Sequence, residues 1–498
     1  MNMAFGDNGL ITQAQKAKDI AANSVIAEQE GMNSLMGEFD NLIPFEPQPT
    51  PEPEQGETEL TEDDTTNGVI EIKWLSGTSN KVSETPNAPQ VKTISNGTME
   101  LVRYTGEGST EKERWVAGTE YSYIPGEGSS DNTSSKWANA RVTIDGIDSY
   151  FVWIPRYAYR IIYFDSAESK KAYQEGTLTE ADAKAQGKIK GYSDSRGIVD
   201  SEGKKVANVT STTKEMVSED YFMTHPAFLA NADLGGGFGN NNGTNDNGIS
   251  GIWIGKYEAS LANKADGTNI VPSSRTDGDI LLSASKNSDK TIVTKPGYSS
   301  WRYIMTRNMY DNAKYYSTEL ESHMLKNSEW GAVAYLTESK YGRNGTEIGF
   351  SGDGTITGGG ANNAYATTNQ DQSTTGNVYG IYDMRGGAFE NVASYYTGGN
   401  SSSLNNGSSF TNTKTSDKYA TAYTGTSAST SYKYGDATYE TSGWHSDSAD
   451  FVRSSFPFFG RGDYYGSGAS VTGVFCFVSN TGGWRRLRLV SPRIGSVM

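Results

Sequence analysis

Residues 374–396 read TTGNVYGIYDMRGGAFENVASYY, and no helical period runs through them. Gly376, Gly380, Gly386 and Gly387 cut the stretch into short aromatic runs, NVYGIYDM and AFENVASYY. That is the pattern of brief strands joined by tight turns. Asp383 and Glu390 stand close enough to share a turn or hairpin, as an acid/base pair would need. Arg385 between them favours a structural ion pair instead. Beyond Gly342 the chain keeps this character: Gly/Ser/Thr/Asn-rich loops punctuated by short aromatic strands, including GVFCFV and RLRLVSP.

Upstream of that stretch the periods change. Ser299 or Ser300 is placed to cap a helix over WRYIMTRNMYDNAKYY, and Asn327 or Ser328 to cap one over EWGAVAYLTESKY that stops at Gly342. Residues 166–186 also read as helical. WANARVTIDGIDSYFVWIPRYAYRI, from Trp137, predicts a strand pair turning at Asp145-Gly146, and IWIGKYEAS predicts a further strand. Residues 69–123 hold short alternating runs (VIEIKWL, TMELVRY, RWVAGTEYSYI) and are expected to form a small β-rich segment before a body over 124–498. Residues 44–68, PFEPQPTPEPEQGETELTEDDTTNG, alternate Pro with Glu and predict an extended, self-repelling linker. Residues 1–43 carry Leu10, Ala14, Ala17, Ala21 and Val25 at helical spacing, which predicts an amphipathic helix for anchoring or self-assembly.

Composition narrows the function. The chain has 498 residues, 59 Asp+Glu against 43 Lys+Arg, and a net charge of −16. Phosphate backbones need a cationic face, so a nucleic-acid partner is not expected. The single cysteine, Cys476, excludes an internal disulfide framework and any mechanism needing a cysteine pair. His225, His323 and His445 lie far apart without metal-ligand spacing and read as packed or hydrogen-bonded structural residues. No P-loop, dinucleotide fingerprint or nucleophile elbow occurs. No cofactor is expected. The oxygen-rich stretches at Asp353-Gly354 and Asn240–Asn247 are the candidate places for a structural Ca²⁺, although neither has the spacing of a loop of about twelve residues.

The most informative composition is at 454–486, SSFPFFGRGDYYGSGASVTGVFCFVSNTGGWRR. Tyr and Trp offer large contact area at low rotamer cost, Arg offers directional donors, and Gly and Ser give an adaptable backbone. GVFCF alternates as a core strand would, with Cys476 a small buried hydrophobe in it. The flanking runs lack that alternation and read as surface loops. Arg461-Gly462-Asp463 spells an adhesion tripeptide, but a turn at Gly462 explains it equally well.

Several segments together resemble the formylglycine-generating-enzyme branch of the C-type lectin fold. In that branch a helix with an E-W pair precedes a GN-x-x-G-x-x-D-M-x-G-x-x-x-E segment, an R-G-G strand and a final F-R-x-V strand. Glu329-Trp330 matches the pair, and Gly376, Asn377, Gly380, Asp383, Met384, Gly386 and Glu390 match the second motif. Arg461 and Gly462 match the third with Asp463 in place of Gly. Arg488 and Val490 match the last with Leu487 in place of Phe. The resemblance implies an α+β, C-type lectin-like domain with long irregular loops, preceded by the N-terminal helix and the Pro/Glu-rich linker.

It does not carry the enzymes' chemistry. The copper site of those enzymes uses a cysteine pair, the related iron sulfoxide synthases use a histidine triad, and the calcium motifs of sugar-binding members are missing. The chain resembles instead the variable proteins of diversity-generating retroelements, whose mutable residues crowd the last strands and loops. That resemblance makes 455–492 the variable-region-like segment. It implies ligand contacts by Phe456, Phe458, Phe459, Tyr464, Tyr465, Ser467, Val478, Ser479, Asn480, Thr481, Trp484, Arg485 and Arg486. Gly460, Arg461, Gly462, Phe475, Phe477 and Arg488 would be framework.

The expected function is thus non-enzymatic display and adhesion, with a protein or glycan ligand on a cell or phage surface. The alternatives are a metal-dependent enzyme of the branch and a structural pilin-like or virion component. MNMAFGDNGLITQAQKAKDIA is also similar to the segment after the membrane helix of prepilin-like surface proteins of Gram-positive bacteria. That implies an extracellular, cell-surface location or a phage particle. It also implies either a processed or engineered start, or a native soluble N-terminus that docks into an assembly.

Overall fold

The chain changes sheet at a proline. In the computed structural model the strand Ile147–Pro155 ends on a residue with no N–H to donate, and the strand Tyr157–Phe164 begins at once in another sheet. Arg156 at this corner is fully buried. Its guanidinium donates to the Phe228 carbonyl (2.6 Å), Asn80 Oδ1 (2.7 Å) and the Ser79 carbonyl (3.1 Å), so one side chain ties the corner to two other segments. The structure describes residues 66–125, 135–194, 197–200, 221–241, 246–352, 355–483 and 489–492. The predicted N-terminal helix and nearly all of the Pro/Glu linker lie outside them.

Seven antiparallel strands form the first sheet, in the order His323–Met324, Leu489–Pro492, Gly251–Gly255, Ile147–Pro155, Asn139–Ile144, Gly97–Tyr104 and Trp115–Ala117. The hairpin expected at Asp145-Gly146 joins two of them, with Ile144 opposite Ile147. Trp253 pairs with Trp153 across the sheet, and their rings lie 5.2 Å apart. In the second sheet Gly68–Leu75 and Ile189–Asp194 flank Tyr157–Phe164. Gly68–Leu75 alternates as its sequence predicts, with Ile70, Ile72 and Trp74 facing the core. The segment 69–123 is therefore no separate unit: its strands add to both sheets of the body. A short strand buries one face only against partners, and here the partners come from 139–164.

Helices and several antiparallel sheets make the architecture α+β. The helix Asn327–Glu338 is buried along its whole length: its middle, Trp330–Leu336, is apolar all round, while polar and charged residues at its two ends are buried with partners such as His323 and His445. A Cβ on Gly331 would lie 1.8 Å from the Gly435 carbonyl oxygen, which explains a glycine in mid-helix. The helix starts after Lys326, and the Glu329 carboxylate, not Asn327 or Ser328, accepts the buried Lys326 N–H at 2.8 Å. The preceding helix spans Thr306–Tyr316, not 301–316. Tyr303 sits at φ 61°, which no helix tolerates, and Asp279 takes the Met305 N–H at 2.9 Å. Residues 166–186 form two helices, Ala167–Gln174 and Glu180–Ala185, each capped by a hydroxyl (Ser166, Thr179). Among the described residues no helix is long and apolar enough to cross a membrane.

Candidate functional site

A four-stranded sheet carries the candidate residues. Its order is Thr421–Tyr423, Glu390–Tyr396, Phe458–Arg461 and Phe477–Asn480. The stretch 374–396 supplies a central strand and the turn before it. Asp383 turns the chain at φ 64° and accepts the Gly358 N–H (2.8 Å) and the Gly359 N–H (3.2 Å). Arg385 does not form the expected ion pair with Asp383 or Glu390. Its guanidinium donates to the carbonyls of Ile348 (2.6 Å), Ala469 (2.6 Å) and Thr472 (2.8 Å). Two of those carbonyls belong to the loop that follows the Phe458–Arg461 strand.

Among the described residues that loop is the most exposed aromatic feature of the C-terminal region. Tyr465 is 43% exposed, and the Tyr464 and Tyr465 rings meet edge to face at 5.6 Å. Asp463, buried at φ 52°, accepts the Tyr464 N–H (2.8 Å) and the Ser467 hydroxyl (2.9 Å). The Tyr465 N–H donates to the Gly387 carbonyl at 3.1 Å. At the far end Asp447 accepts the Phe475 N–H (3.0 Å), and the Trp330 indole donates to the Val474 carbonyl (2.7 Å). Arg385, Gly387, Asp447 and Trp330 thus each reach a main-chain atom of 464–475, which any sequence would present.

Beneath the loop lies a buried charged cluster. The His445 Nε2–H donates to the Glu338 carboxylate at 3.0 Å, and Lys170 stands 3.6 Å from the same carboxylate. Burial disfavours the charged His445, but Glu338 and Glu347 outweigh it and push its pKa up to about 9. Burial raises the Asp447 pKa well above the usual carboxylate range, and the neighbouring Glu347 adds to the effect. Glu347 is raised too, again chiefly by burial.

The structure divides the sequence-predicted contacts. Tyr464, Tyr465, Ser467 and Thr481 are exposed or partly so, as are Phe456, Val478 and Ser479. Arg453 stacks on Phe456 at 4.6 Å, and the Ser479 hydroxyl donates to Asp450 at 2.7 Å. Phe458, Phe459 and Asn480 are corrections: all three are buried and face no ligand. Consecutive strand residues point to opposite faces, but both faces are covered here. Phe410 packs on Phe458 at 5.9 Å, while Tyr423 and Phe451 pack on Phe459 at 4.9 and 5.1 Å. Asn480 turns inward to accept the Gly482 N–H at 2.7 Å. Trp484, Arg485, Arg486 and Arg488 lie outside the described residues.

Gly460, Arg461, Gly462, Phe475 and Phe477 are buried. With Arg461 and Asp463 both inside, the Arg-Gly-Asp triplet is not presented as a recognition tripeptide. Cys476 is buried, but GVFCF is not a core strand. Val474 and Phe475 form a turn, and the strand begins at Phe477. Burial pushes the Cys476 thiol well up, away from the reactive thiolate.

The histidines sit apart. His225 accepts the Ala227 N–H through Nδ1 at 3.3 Å, and burial drives its pKa down to about 3. His323 meets Glu329 at 3.0 Å in a fully buried pair, joined by Lys326 at 3.5 Å. Among the described residues no group of three or more His, Cys, Asp or Glu is arranged to hold a metal ion. Of the two stretches singled out for calcium, Asp353-Gly354 lies outside the described residues. The ends of Asn240–Asn247 pair as two short strands, and the residues between them lie outside. Sequence reasoning missed Arg385 and Asp447 as supports of the loop, because their partners are backbone atoms more than twenty residues away. The chain matches no protein-family model and no curated protein.

Proposed function

We propose that this is a non-enzymatic display protein that binds a protein or glycan ligand through the loop 464–471 and the neighbouring edge at Phe456, Val478, Ser479 and Thr481. The observation that carries the reading is the Tyr464–Tyr465 pair, half-buried and exposed respectively, on a loop that Arg385 and Gly387 hold through its main chain. Such anchoring leaves the outward side chains free to differ while the backbone stays put, and a preorganised aromatic pair loses little entropy on binding. The C-type lectin-like, retroelement-diversified part of the reading rests on the sequence motifs at 322–336, 374–396, 459–468 and 487–492, and a bacterial surface or phage particle is the location that goes with it.

The test is genomic and chemical. A reverse-transcriptase gene beside a near-copy of codons 455–492 that differs at adenines is expected. Its absence removes the retroelement part of the reading. Metal analysis of the purified full chain addresses the rest: stoichiometric copper or iron would overturn display in favour of a metalloenzyme. Burial of Tyr464 and Tyr465 between copies of the chain would overturn it in favour of a structural component.

A further inference from the structure

A second concave surface lies on other elements. It is an open cleft of about 450 Å³ between the Asp145 turn, the residues Ser95 and Asn96, the strand Lys290–Val293 and the end of the Thr306–Tyr316 helix. It shares no residue with the loop 464–471. Tyr315 at this cleft is 46% exposed, one of the few large hydrophobic side chains among the described residues left so open.

The lining mixes apolar and hydrogen-bonding groups, with Ile144, Leu282, Ile292 and Tyr316 on the apolar side. Ser95, Asn96, Ser288, Thr291, Ser317 and Thr318 supply its hydrogen-bonding share. Ser95, Ser288 and Thr318 are exposed residues. Lys264 and Asp145 form an ion pair at 2.8 Å whose side chains keep 40% and 34% exposure. Lys290 pairs with Asp289 at 3.1 Å, and Glu319 accepts the Ser95 N–H at 2.9 Å. Lys264 and Lys290 balance Asp145 and Glu319, so the cleft selects neither an anion nor a cation. Short hydroxyl residues and ion pairs around the small aliphatic patch of Ile144, Leu282 and Ile292 disfavour a wholly apolar ligand. One exposed aromatic ring among many hydrogen-bonding groups suits a ligand that is itself a ring with an apolar face and a hydroxyl rim.

We propose that this cleft binds a neutral saccharide, with Tyr315 stacking on the sugar face and Asp145, Lys264 and the hydroxyls holding its rim. The site is independent of the display reading, and either can fail without the other. The full chain is to be titrated with lactose, maltose, cellobiose and N,N′-diacetylchitobiose, using saturation-transfer NMR and calorimetry. Binding of at least one is expected, unchanged by EDTA. Tyr315→Ala should weaken it about tenfold or more, and Thr318→Trp, which fills the cleft without touching the core, should weaken it similarly. Tyr464→Ala and Tyr465→Ala should leave it intact. Failure of all four sugars to bind overturns the proposal. So does binding that survives both cleft variants, that EDTA abolishes, or that is lost with the loop tyrosines.

Discussion

Phe458-Phe459 and Tyr464-Tyr465 are aromatic pairs only a few residues apart in one glycine-rich segment, and they meet opposite fates. The phenylalanines lie at 0% exposure between Phe410 on one side and Tyr423 and Phe451 on the other. The tyrosines project from a loop whose backbone is held by Arg385 and Gly387. Composition is alike in the two pairs. What differs is cover: side chains from 404–451 roof the strand and leave the loop open. An aromatic run near a chain terminus is therefore no evidence of a binding face until its neighbours are placed.

Substitutions can test this contrast. Phe459→Ala opens a cavity in a packed core and should cost about 3–5 kcal/mol, read by denaturant unfolding. A cost below 1 kcal/mol would mean that Phe459 is not the core residue described. Arg385→Ala removes charge-assisted bonds to Ile348, Ala469 and Thr472 and should cost about 1.5–3 kcal/mol. Its signature is local: amide exchange should accelerate across 464–475 while the Asn327–Glu338 helix stays protected.

A smaller effect is expected from pH. The raised pKa of His445 means that its contribution is fully present below its unfolded value and is lost as pH rises through about 9. Asp447 and Glu347, raised as acids, act in the same direction, because the fold prefers them protonated. Alkaline solution should therefore loosen the Phe475 end of the loop. Limited proteolysis across pH 7–10 checks this, and His445→Gln should flatten the histidine part of the change. Loosening on acidification instead would reverse the assigned sign.

The smallest stability effect belongs to the exposed pair. Tyr464→Ala and Tyr465→Ala should each stay within about 0.5 kcal/mol of the parent in stability. Each should lose about 2 kcal/mol or more of binding to any ligand captured by this face. If both variants unfold, the pair is structural and the contrast with Phe458-Phe459 disappears.

Much of the fold was legible in the residues. The alternation in Gly68–Leu75 and the Asp145-Gly146 turn state strand and hairpin locally, while the helical stretch 166–186 is split by the structure into two helices that start at Ser166 and Thr179 caps. The 301–316 helix was overdrawn because its apolar spacing continues backwards through Tyr303, where only the packed structure shows a positive φ. The candidate site was half legible. Tyr464, Tyr465 and Ser467 followed from a run without alternation, whereas Phe458, Phe459 and Asn480 looked the same in one dimension.

By itself the sequence determined the short strands, the turn chemistry, the acidic charge and the lack of a second cysteine, because each depends on residue type or on spacing within a few positions. Tertiary structure alone decided that 69–123 joins the body's sheets, that Arg385 leaves its neighbouring carboxylates for the loop carbonyls, and which aromatics face outward. Those outcomes depend on partners far along the chain. Burial and hydrogen bonding to such partners outweigh the local preference once the chain has closed on itself.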